Sequence, residues 1–308
     1  MGAMNVLSDQ DKSVDILTLV NERTVLLDGG MGTMLMVEGL AGGELPESWN
    51  LERPDVVQSI HRRYFEAGAD IVLTNSFGGN RLKLNKKQRD EDVERINTRA
   101  AQLARAVTPP GKFVAGDMGP SGELLTPVGD YAPEQLEEVF EEQARVLISG
   151  GVDLILIETM FSLQEAVTAL KGARRAGQGP VFVSITYERK GDRFVTIMGD
   201  IPEGCVKALE QEGADGIGAN CTIRSDEMIP LAATLRGLTN LPLVIQPNAG
   251  TPRVKNGSAI YTQTPDDFAN DVEAMVKEGV NVVGGCCGTT PEFISAIHAR
   301  LSVSSQVP

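Results

Sequence analysis

One junction recurs four times along the chain and constrains the fold more than any other sequence feature. At each copy an amphipathic helical stretch closes on Gly, and a short apolar run begins within a few residues. A Gly just beyond a helix end supplies the left-handed conformation that terminates the helix. The copies are residues 66–70, 149–153, 211–215 and 277–281. They lie far enough apart for two strand–helix units each, so they indicate four double units.

Eight short apolar runs lie between stretches with helical patterning. They are rich in Val, Ile and Leu without polar alternation, as expected of strands covered on both faces. The helical stretches carry start signals, such as the capping box of Ser162 with Glu165 and the Thr264-Pro265 pair. Strand and helix alternating eight times predicts a single (β/α)8 barrel, the TIM-barrel fold of the α/β class. The runs begin near Val25, Ile71, Val114, Leu154, Val181, Ile217, Leu243 and Val282.

The length of 308 residues fits one such barrel, which typically needs about 250 residues. We predict the barrel domain over residues 15–308 and a disordered tail or tag remnant over residues 1–14. Two of the four cysteines are adjacent, and adjacent cysteines bridge each other only with strained geometry. A reducing compartment therefore fits better than a secreted disulfide framework, and the N-terminus lacks a signal-peptide pattern. These features predict a cytoplasmic protein.

The charge pattern argues against two classes of partner. The formal net charge is −14, and no basic stripe interleaved with aromatic residues occurs. Such an acidic surface should repel nucleic acid and anionic membranes. No apolar run approaches the roughly 18 residues of a membrane span. We therefore expect neither a nucleic-acid partner nor a membrane partner.

Polar side chains follow almost every apolar run. In barrels of this kind the active site lies at the carboxyl ends of the strands, so these residues should meet at one rim. Chance could scatter some polar residues here, because loops begin at these points. The residues are Asp28, Asn75, Asp117, Glu158, Tyr187, Asn220 with Cys221, Gln246 with Asn248, and Cys286 with Cys287.

The segment Gly-Gly-Cys-Cys-Gly-Thr-Thr-Pro at residues 284–291 carries the sharpest chemical signal. Its two thiols fall in a strand–helix turn, near the positive end of a helix dipole that favours thiolate. The sixth strand should bring Cys221 within one or two strands of Cys286 and Cys287. Three converging thiolates suit Zn²⁺ with a fourth position left open. Alternatively, the three cysteines are small buried hydrophobic residues, as free cysteines often are.

The remaining cysteine and the histidines point away from other metal chemistry. Cys205 falls on or just before a helix and is interpreted as structural. His61 and His298 fall inside helical stretches, far from the expected rim. The sequence therefore offers no histidine-rich hydrolytic zinc site.

The Gly-rich turn at residues 28–33 and two carboxylates form a second candidate site. Backbone N–H groups near Gly29 and Gly30 could bind an anion such as a carboxylate. Asp28 and Glu158 could hold a substrate ammonium through charge-assisted hydrogen bonds. The alternatives are that the turn needs glycine only for its tightness, and that the two carboxylates cap loops or helices.

Taken together, these motifs resemble the homocysteine S-methyltransferase family over nearly the whole chain, from about residue 21 to 301. Within the family, the most similar form is the homocysteine-binding module of cobalamin-dependent methionine synthases. The chain departs from the family pattern at Ile197-Met198-Gly199 and at residues 222–224, both near the expected mouth of the barrel. The matching stretches are residues 26–33, 73–78, 116–123, 220–221, 247–250 and 284–291.

The resemblance implies a role for each matched residue. Cys221, Cys286 and Cys287 would ligate zinc, and Asn248 is a candidate fourth ligand when substrate is absent. Asp28 and Glu158 would bind the ammonium group of the substrate, and the backbone amides of Gly29, Gly30 and the residues up to Gly32 would bind its carboxylate. Asn220 and Asp117 would be supporting residues at the rim.

The resemblance also implies the reaction. A methyl group would be transferred to the thiol of homocysteine, and the product would be methionine. The reaction would depend on zinc because ligation to Zn²⁺ deprotonates a thiol that is mostly protonated at neutral pH. We expect the donor to be a corrinoid protein, a separate partner that carries methylcobalamin. The alternatives are S-methylmethionine or a betaine as the donor, or another acceptor thiol.

Two rival functions come from other classes. A phosphate-handling lyase or aldolase could use Asp28, Asp117 and Glu158, but it should place a Lys at a strand end, and no Lys lies there. A non-enzymatic zinc scaffold would hold its metal with four protein ligands and would not bind a thiol at the metal.

Overall fold

The computed structural model describes residues 15–255 and 258–304. The predicted tail at residues 1–14 lies outside the described residues, as do the last four residues of the predicted domain.

Eight parallel strands form the central sheet, in the order β1-β12-β9-β8-β5-β4-β3-β2. An isolated parallel bridge between Leu27 and Ile71 joins the two end strands of this order, so the sheet curls into a barrel. The predicted (β/α)8 fold is confirmed. The strands are β1 (Val25–Leu26), β2 (Ile71–Leu73), β3 (Phe113–Met118), β4 (Leu154–Met160), β5 (Val181–Ile185), β8 (Gly216–Arg224), β9 (Leu243–Asn248) and β12 (Val282–Val283).

Helices surround the barrel and connect its strands. They are α1 (Ile16–Glu22), α2 (Met31–Val37), α3 (Trp49–Glu52), α4 (Pro54–Glu66), α5 (Arg81–Asn85), α6 (Val93–Arg105), α7 (Pro133–Ser149), α8 (Leu163–Ala176), α9 (Pro202–Gln211), α10 (Ser225–Arg236), α11 (Pro265–Lys277) and α12 (Pro291–Ser304). Short 3₁₀ turns occur at Pro46–Ser48 and Asp90–Asp92. No helix among the described residues is long and apolar enough to cross a membrane.

Two antiparallel hairpins leave the carboxyl ends of barrel strands. The first pairs β6 (Glu188–Lys190) with β7 (Arg193–Val195) and follows β5. The second pairs β10 (Arg253–Lys255) with β11 (Ser258–Ile260) and follows β9. Both hairpins therefore stand on the rim where a barrel carries its active site.

The recurring glycine junction behaves as expected. Gly68, Gly151, Gly213 and Gly279 all adopt a positive φ, between 82° and 109°. Each lies between the end of a helix and the start of the next barrel strand. This left-handed conformation strains residues that have a Cβ, so the repeated glycine marks where each helix must turn back toward the sheet.

Alternation along the strands separates two apolar cores. On β4, Leu154 and Leu156 belong to a cluster of strand residues inside the barrel, whereas Ile155 and Ile157 pack in the larger cluster shared with the helices. Successive side chains of a strand point to opposite faces, which explains this division. Ile16 and Val20 of α1 join the inner cluster and cover the amino-terminal end of the barrel. The polar residues of the candidate site lie at the opposite end of the barrel, where the carboxyl ends of the strands meet.

Candidate metal centre and substrate pocket

A cavity of about 240 Å³ opens at the carboxyl end of the barrel. Its wall combines the Gly-rich turn after β1, the ends of several strands and the turn before α12. The lining residues are Gly29, Gly30, Met31, Gly32, Thr33, Met36, Pro46, Glu47, Leu73, Thr74, Asn75, Phe77, Asp117, Glu158, Gln246, Tyr261, Gly285, Cys286 and Cys287.

Three thiols converge beside this cavity. The Sγ atoms of Cys221, Cys286 and Cys287 all lie within 4.8 Å of one another, and those of Cys221 and Cys287 are 4.0 Å apart. In a tetrahedral site with Zn–S bonds of about 2.3 Å, two sulfurs lie about 3.8 Å apart. The three donors therefore fit one soft metal ion. They form the one group of metal-binding spacing found among the described residues.

The thiols interact strongly with one another. Hydrogen bonds with the thiols of Cys286 and Cys287 lower the pKa of Cys221 to about 3. The hydrogen bond with Cys221 is also the largest cause that raises the pKa of Cys286. Within the cluster, the thiolate form is therefore favoured at Cys221 and disfavoured at Cys286.

Hydrogen bonds donated by two backbone amides hold the Cys-Cys turn against β9. Cys286 N donates to Pro247 O at 2.9 Å, and Cys287 N donates to Asn248 Oδ1 at 3.1 Å. Asn248 thus lies beside the thiols that it was predicted to assist. Its role as a metal ligand stays a prediction.

The Gly-rich turn packs directly against the same segment. Gly30 N donates to Thr289 Oγ1 at 3.1 Å, and Gly288 N donates to Thr33 Oγ1 at 2.9 Å. A Cβ on Gly30 would lie 2.7 Å from Cys286 O, so only glycine permits this approach. The amide of Gly30 already has a partner within the protein.

Four buried carboxylates lie in or behind the cavity wall, and they differ in what they contact. Glu158 lines the cavity, and its Oε2 accepts from Gln246 Nε2 at 3.3 Å. Burial raises the pKa of Glu158 to about 7, and the thiolate of Cys221 adds to the shift. Asp117 also lines the cavity and has a buried Oδ1 without a hydrogen-bond partner; burial, then repulsion from Glu158, raises its pKa.

Asp28 lies behind the cavity wall. Its Oδ2 accepts from Leu73 N at 2.9 Å, while its Oδ1 is buried and has no partner. Burial raises its pKa well above the usual value of an aspartate. Asp28 is not among the lining residues, so a direct contact with substrate stays a prediction.

Two polar lining residues, Glu47 and Tyr261, were not predicted from the sequence. Glu47 lies in a 3₁₀ turn far from any strand end; its Oε1 accepts from Gly78 N, and its Oε2 is buried without a partner. Tyr261 follows the second hairpin, and its ring lies over Gly288, where a Cβ would be 2.1 Å from the ring. Both residues belong to connections rather than strand ends, so the strand-end criterion could not find them.

Other predicted positions lie elsewhere. The side chain of Tyr187 is buried beside the Cys205 thiol and is absent from the cavity wall, unlike the expectation for the strand ends. His61 is fully buried in α4, and neither of its ring nitrogens has a hydrogen-bond partner. His298 is exposed on α12. Neither histidine lines the cavity, in agreement with the sequence interpretation.

Fold and site together define a class of protein: a (β/α)8 barrel in which three thiols, spaced as metal ligands could be, converge at the carboxyl ends of the strands. Residues 25–301 match the sequence model of the family described as Homocysteine S-methyltransferase. The chain belongs to that family.

Individual relatives agree with this assignment. The chain is 35% identical to methionine synthase of Mycobacterium leprae (strain TN) and 34% identical to that of Mycobacterium tuberculosis (strain ATCC 25618 / H37Rv). Each match covers 94% of this chain and 25% of the relative, so the chain spans about a quarter of the length of these proteins. Among solved structures, the metallated form of the homocysteine methyltransferase MmuM from Escherichia coli superposes with a TM-score of 0.76 at 25% identity, over 90% of this chain and 96% of that chain.

Proposed function

We propose that this chain transfers a methyl group to the thiol of homocysteine, giving methionine, with Zn²⁺ held by Cys221, Cys286 and Cys287. The observation that carries the proposal is the convergence of three Sγ atoms within 4.8 Å of one another, two of them on residues that line the cavity. Membership of the homocysteine S-methyltransferase family and the similarity to methionine synthases and to a homocysteine methyltransferase support the same acceptor.

The donor set favours zinc among the common metals. Three thiolates are soft ligands, and three protein ligands leave a coordination position for a substrate, as in catalytic zinc sites. When bound, Zn²⁺ lowers the pKa of a ligated thiol so that it is a thiolate at neutral pH. Asn248 is the candidate for the fourth position in the absence of substrate, because its amide lies against Cys287.

The buried carboxylates supply the complementary charge for the substrate ammonium. Glu158 and Asp117 both face the cavity, and Asp28 lies behind them with a free buried oxygen. An ammonium between these groups would relieve their repulsion and make charge-assisted hydrogen bonds. The amides of the turn around Gly29 are the proposed partners of the substrate carboxylate, as helix N-termini and glycine turns favour anions. Met31 begins α2 directly after that turn.

The chemical step needs few protein groups. The acceptor thiol gives its proton to solvent, its sulfur lone pair forms the S–CH₃ bond, and the donor leaves with the electron pair of the broken bond. The chain orients the amino acid through both of its charged ends, which raises the effective concentration of the sulfur at the methyl group.

A methyl-corrinoid protein is the donor that we propose. The methionine synthases that match the chain are about four times its length, which suggests a donor carried outside this barrel. Large exposed apolar side chains also lie on segments that follow the carboxyl ends of barrel strands, and apolar surface of this kind is typical of protein-binding sites. They are Met36, Val37, Leu124, Val128, Ile197, Met198 and Ile201. S-methylmethionine or a betaine is the alternative donor.

Two measurements test the proposal. Zinc X-ray absorption with and without homocysteine should show one added sulfur neighbour on adding the thiol; an unchanged sulfur shell would contradict the assigned acceptor site. A panel of donors with the purified protein should show transfer from a methyl-corrinoid protein, with weak transfer from free methylcobalamin. Strong activity with S-methylmethionine alone would eliminate the corrinoid partner.

A further inference from the structure

Two barrel strands are irregular where they reach the cavity. The pairing of β4 with β5 shifts register between Ile157 and Met160, and Thr159 in this interval has a φ of 60°. The pairing of β8 with β9 shifts between Asn220 and Arg224. Within this second interval Cys221 has a φ of 62° and Thr222 a φ of 55°.

These backbone conformations cost free energy. A β-branched residue such as Thr is an outlier in the left-handed region, and such residues persist only when surrounding contacts hold them. Irregularities of this kind change the direction of side chains beside active sites. Here the first interval contains Glu158, which lines the cavity, and the second contains Cys221, whose Sγ lies within 4.8 Å of the other two.

One buried amide connects the two irregular segments. The Oδ1 of Asn220 accepts from Thr159 N at 2.9 Å and from Ser184 Oγ at 2.8 Å. Its Nδ2 donates to Thr159 Oγ1 at 2.7 Å and approaches Glu158 Oε2 at 3.4 Å. The same Nδ2 lies 3.9 Å from Cys286 Sγ. Asn220 is fully buried and is absent from the cavity wall.

We infer that Asn220 is a positioning residue that holds both strand irregularities, and thereby sets the places of Glu158 and Cys221, rather than a ligand of the substrate. The amide fits this role because it offers an acceptor to the Thr159 backbone and a donor to its hydroxyl at once. The inference rests on the proposed function for its consequences in metal binding and catalysis.

The first test is the metal dissociation constant of Asn220→Ala, measured by competition with a chromophoric zinc chelator. We expect it to rise by about 10- to 100-fold, the range seen when an outer partner of a metal ligand is removed. The control is Asn281→Ala, which removes an amide with bonds to Val20 O and Leu243 N at the other end of the barrel. This control should lose stability but keep the wild-type metal affinity.

A second variant separates positioning from general damage. Glycine adopts a positive φ without steric cost, so Thr159→Gly in the Asn220→Ala background should recover part of the lost metal affinity. If Asn220→Ala folds poorly, Asn220→Asp keeps the acceptor for Thr159 N and should retain more metal affinity than the alanine variant. The inference would be overturned if the double variant recovered no metal affinity and Asn281→Ala lost as much metal affinity as Asn220→Ala.

Kinetic and structural measurements complete the test. A substrate ligand at position 220 predicts a raised KM for homocysteine with unchanged metal affinity, and that result would also overturn the inference. A wild-type chain that binds no zinc would instead contradict the proposed function. In that case a crystal structure of Asn220→Ala decides the positioning role: Thr159 should leave the left-handed region and the Glu158 carboxylate should move, and an unchanged φ at Thr159 would refute it.

Discussion

The Sγ atoms of Cys221 and Cys287 lie 4.0 Å apart although 66 residues separate the two cysteines in the chain. The barrel brings them together because Cys221 lies on β8 and Cys287 follows β12, with β9 as the one strand between. Parallel strands carry their carboxyl ends to the same rim, so the distance along the chain does not matter.

Removal of one thiol should abolish the metal centre. We expect Cys286→Ser to lose stoichiometric zinc and at least about 100-fold of methyl transfer, because a hydroxyl is a poor ligand for a soft site. Metal analysis and an initial-rate assay measure both. Cys205→Ser is the matched control, since Cys205 is a buried cysteine outside the cluster, and it should keep its zinc. Full zinc and full activity in Cys286→Ser would contradict the mechanism.

Glu158 should contribute to binding through the substrate ammonium. Glu158→Gln removes a charge-assisted hydrogen bond of about 1.5–3 kcal/mol, so the kcat/KM for homocysteine should fall by about 10- to 100-fold. With 4-sulfanylbutanoate, which lacks the ammonium, wild type and variant should react at nearly the same rate. An equal fall in kcat/KM with both thiols would show that Glu158 does not act through the substrate ammonium.

The exposed apolar residues that follow the barrel strands should affect methyl transfer only when a protein carries the methyl donor. Ile197 is 65% exposed on the connection between β7 and α9. Ile197→Asp should raise the KM for a methyl-corrinoid protein by about 10-fold, since charge in the apolar centre of an interface is costly. The rate with free methylcobalamin should stay unchanged. Val303→Asp, on the C-terminal helix α12, serves as the control for an exposed apolar residue and should alter neither rate.

The buried His61 should make the barrel sensitive to acid. Burial lowers the pKa of His61 to about 3, below the value of about 6.5 expected in the unfolded chain. Between these values the unfolded state binds the additional proton, so stability falls as pH drops, by up to about 1.4 kcal/mol per pH unit. Denaturant unfolding from pH 7 to pH 4 should show that wild type loses more stability over this range than His61→Leu does. Equal losses of stability in wild type and His61→Leu would contradict this role of His61.

Much of the architecture could be predicted from local patterns. Six of the eight strands begin at the predicted residue, and β3 and β8 begin one residue earlier. The apolar runs and Gly-terminated helices are short-range signals, and parallel topology then forces their carboxyl ends together. That is why the sequence predicts that Cys221, Cys286 and Cys287 lie close together.

No local sequence pattern predicts which further side chains reach the cavity. Glu47 and Tyr261 reach the cavity from irregular connections, whose paths depend on packing against neighbouring elements. Tyr187 packs beside Cys205, and no residue pattern marks the left-handed turn at Thr159.

The sequence by itself determined the barrel, its rim and the three sulfurs, because periodicity and helix termination are encoded within a few residues of each element. The tertiary structure alone decided which side chains face the cavity and which support it. Those directions depend on contacts such as that of Asn220 with Thr159, between residues 61 positions apart.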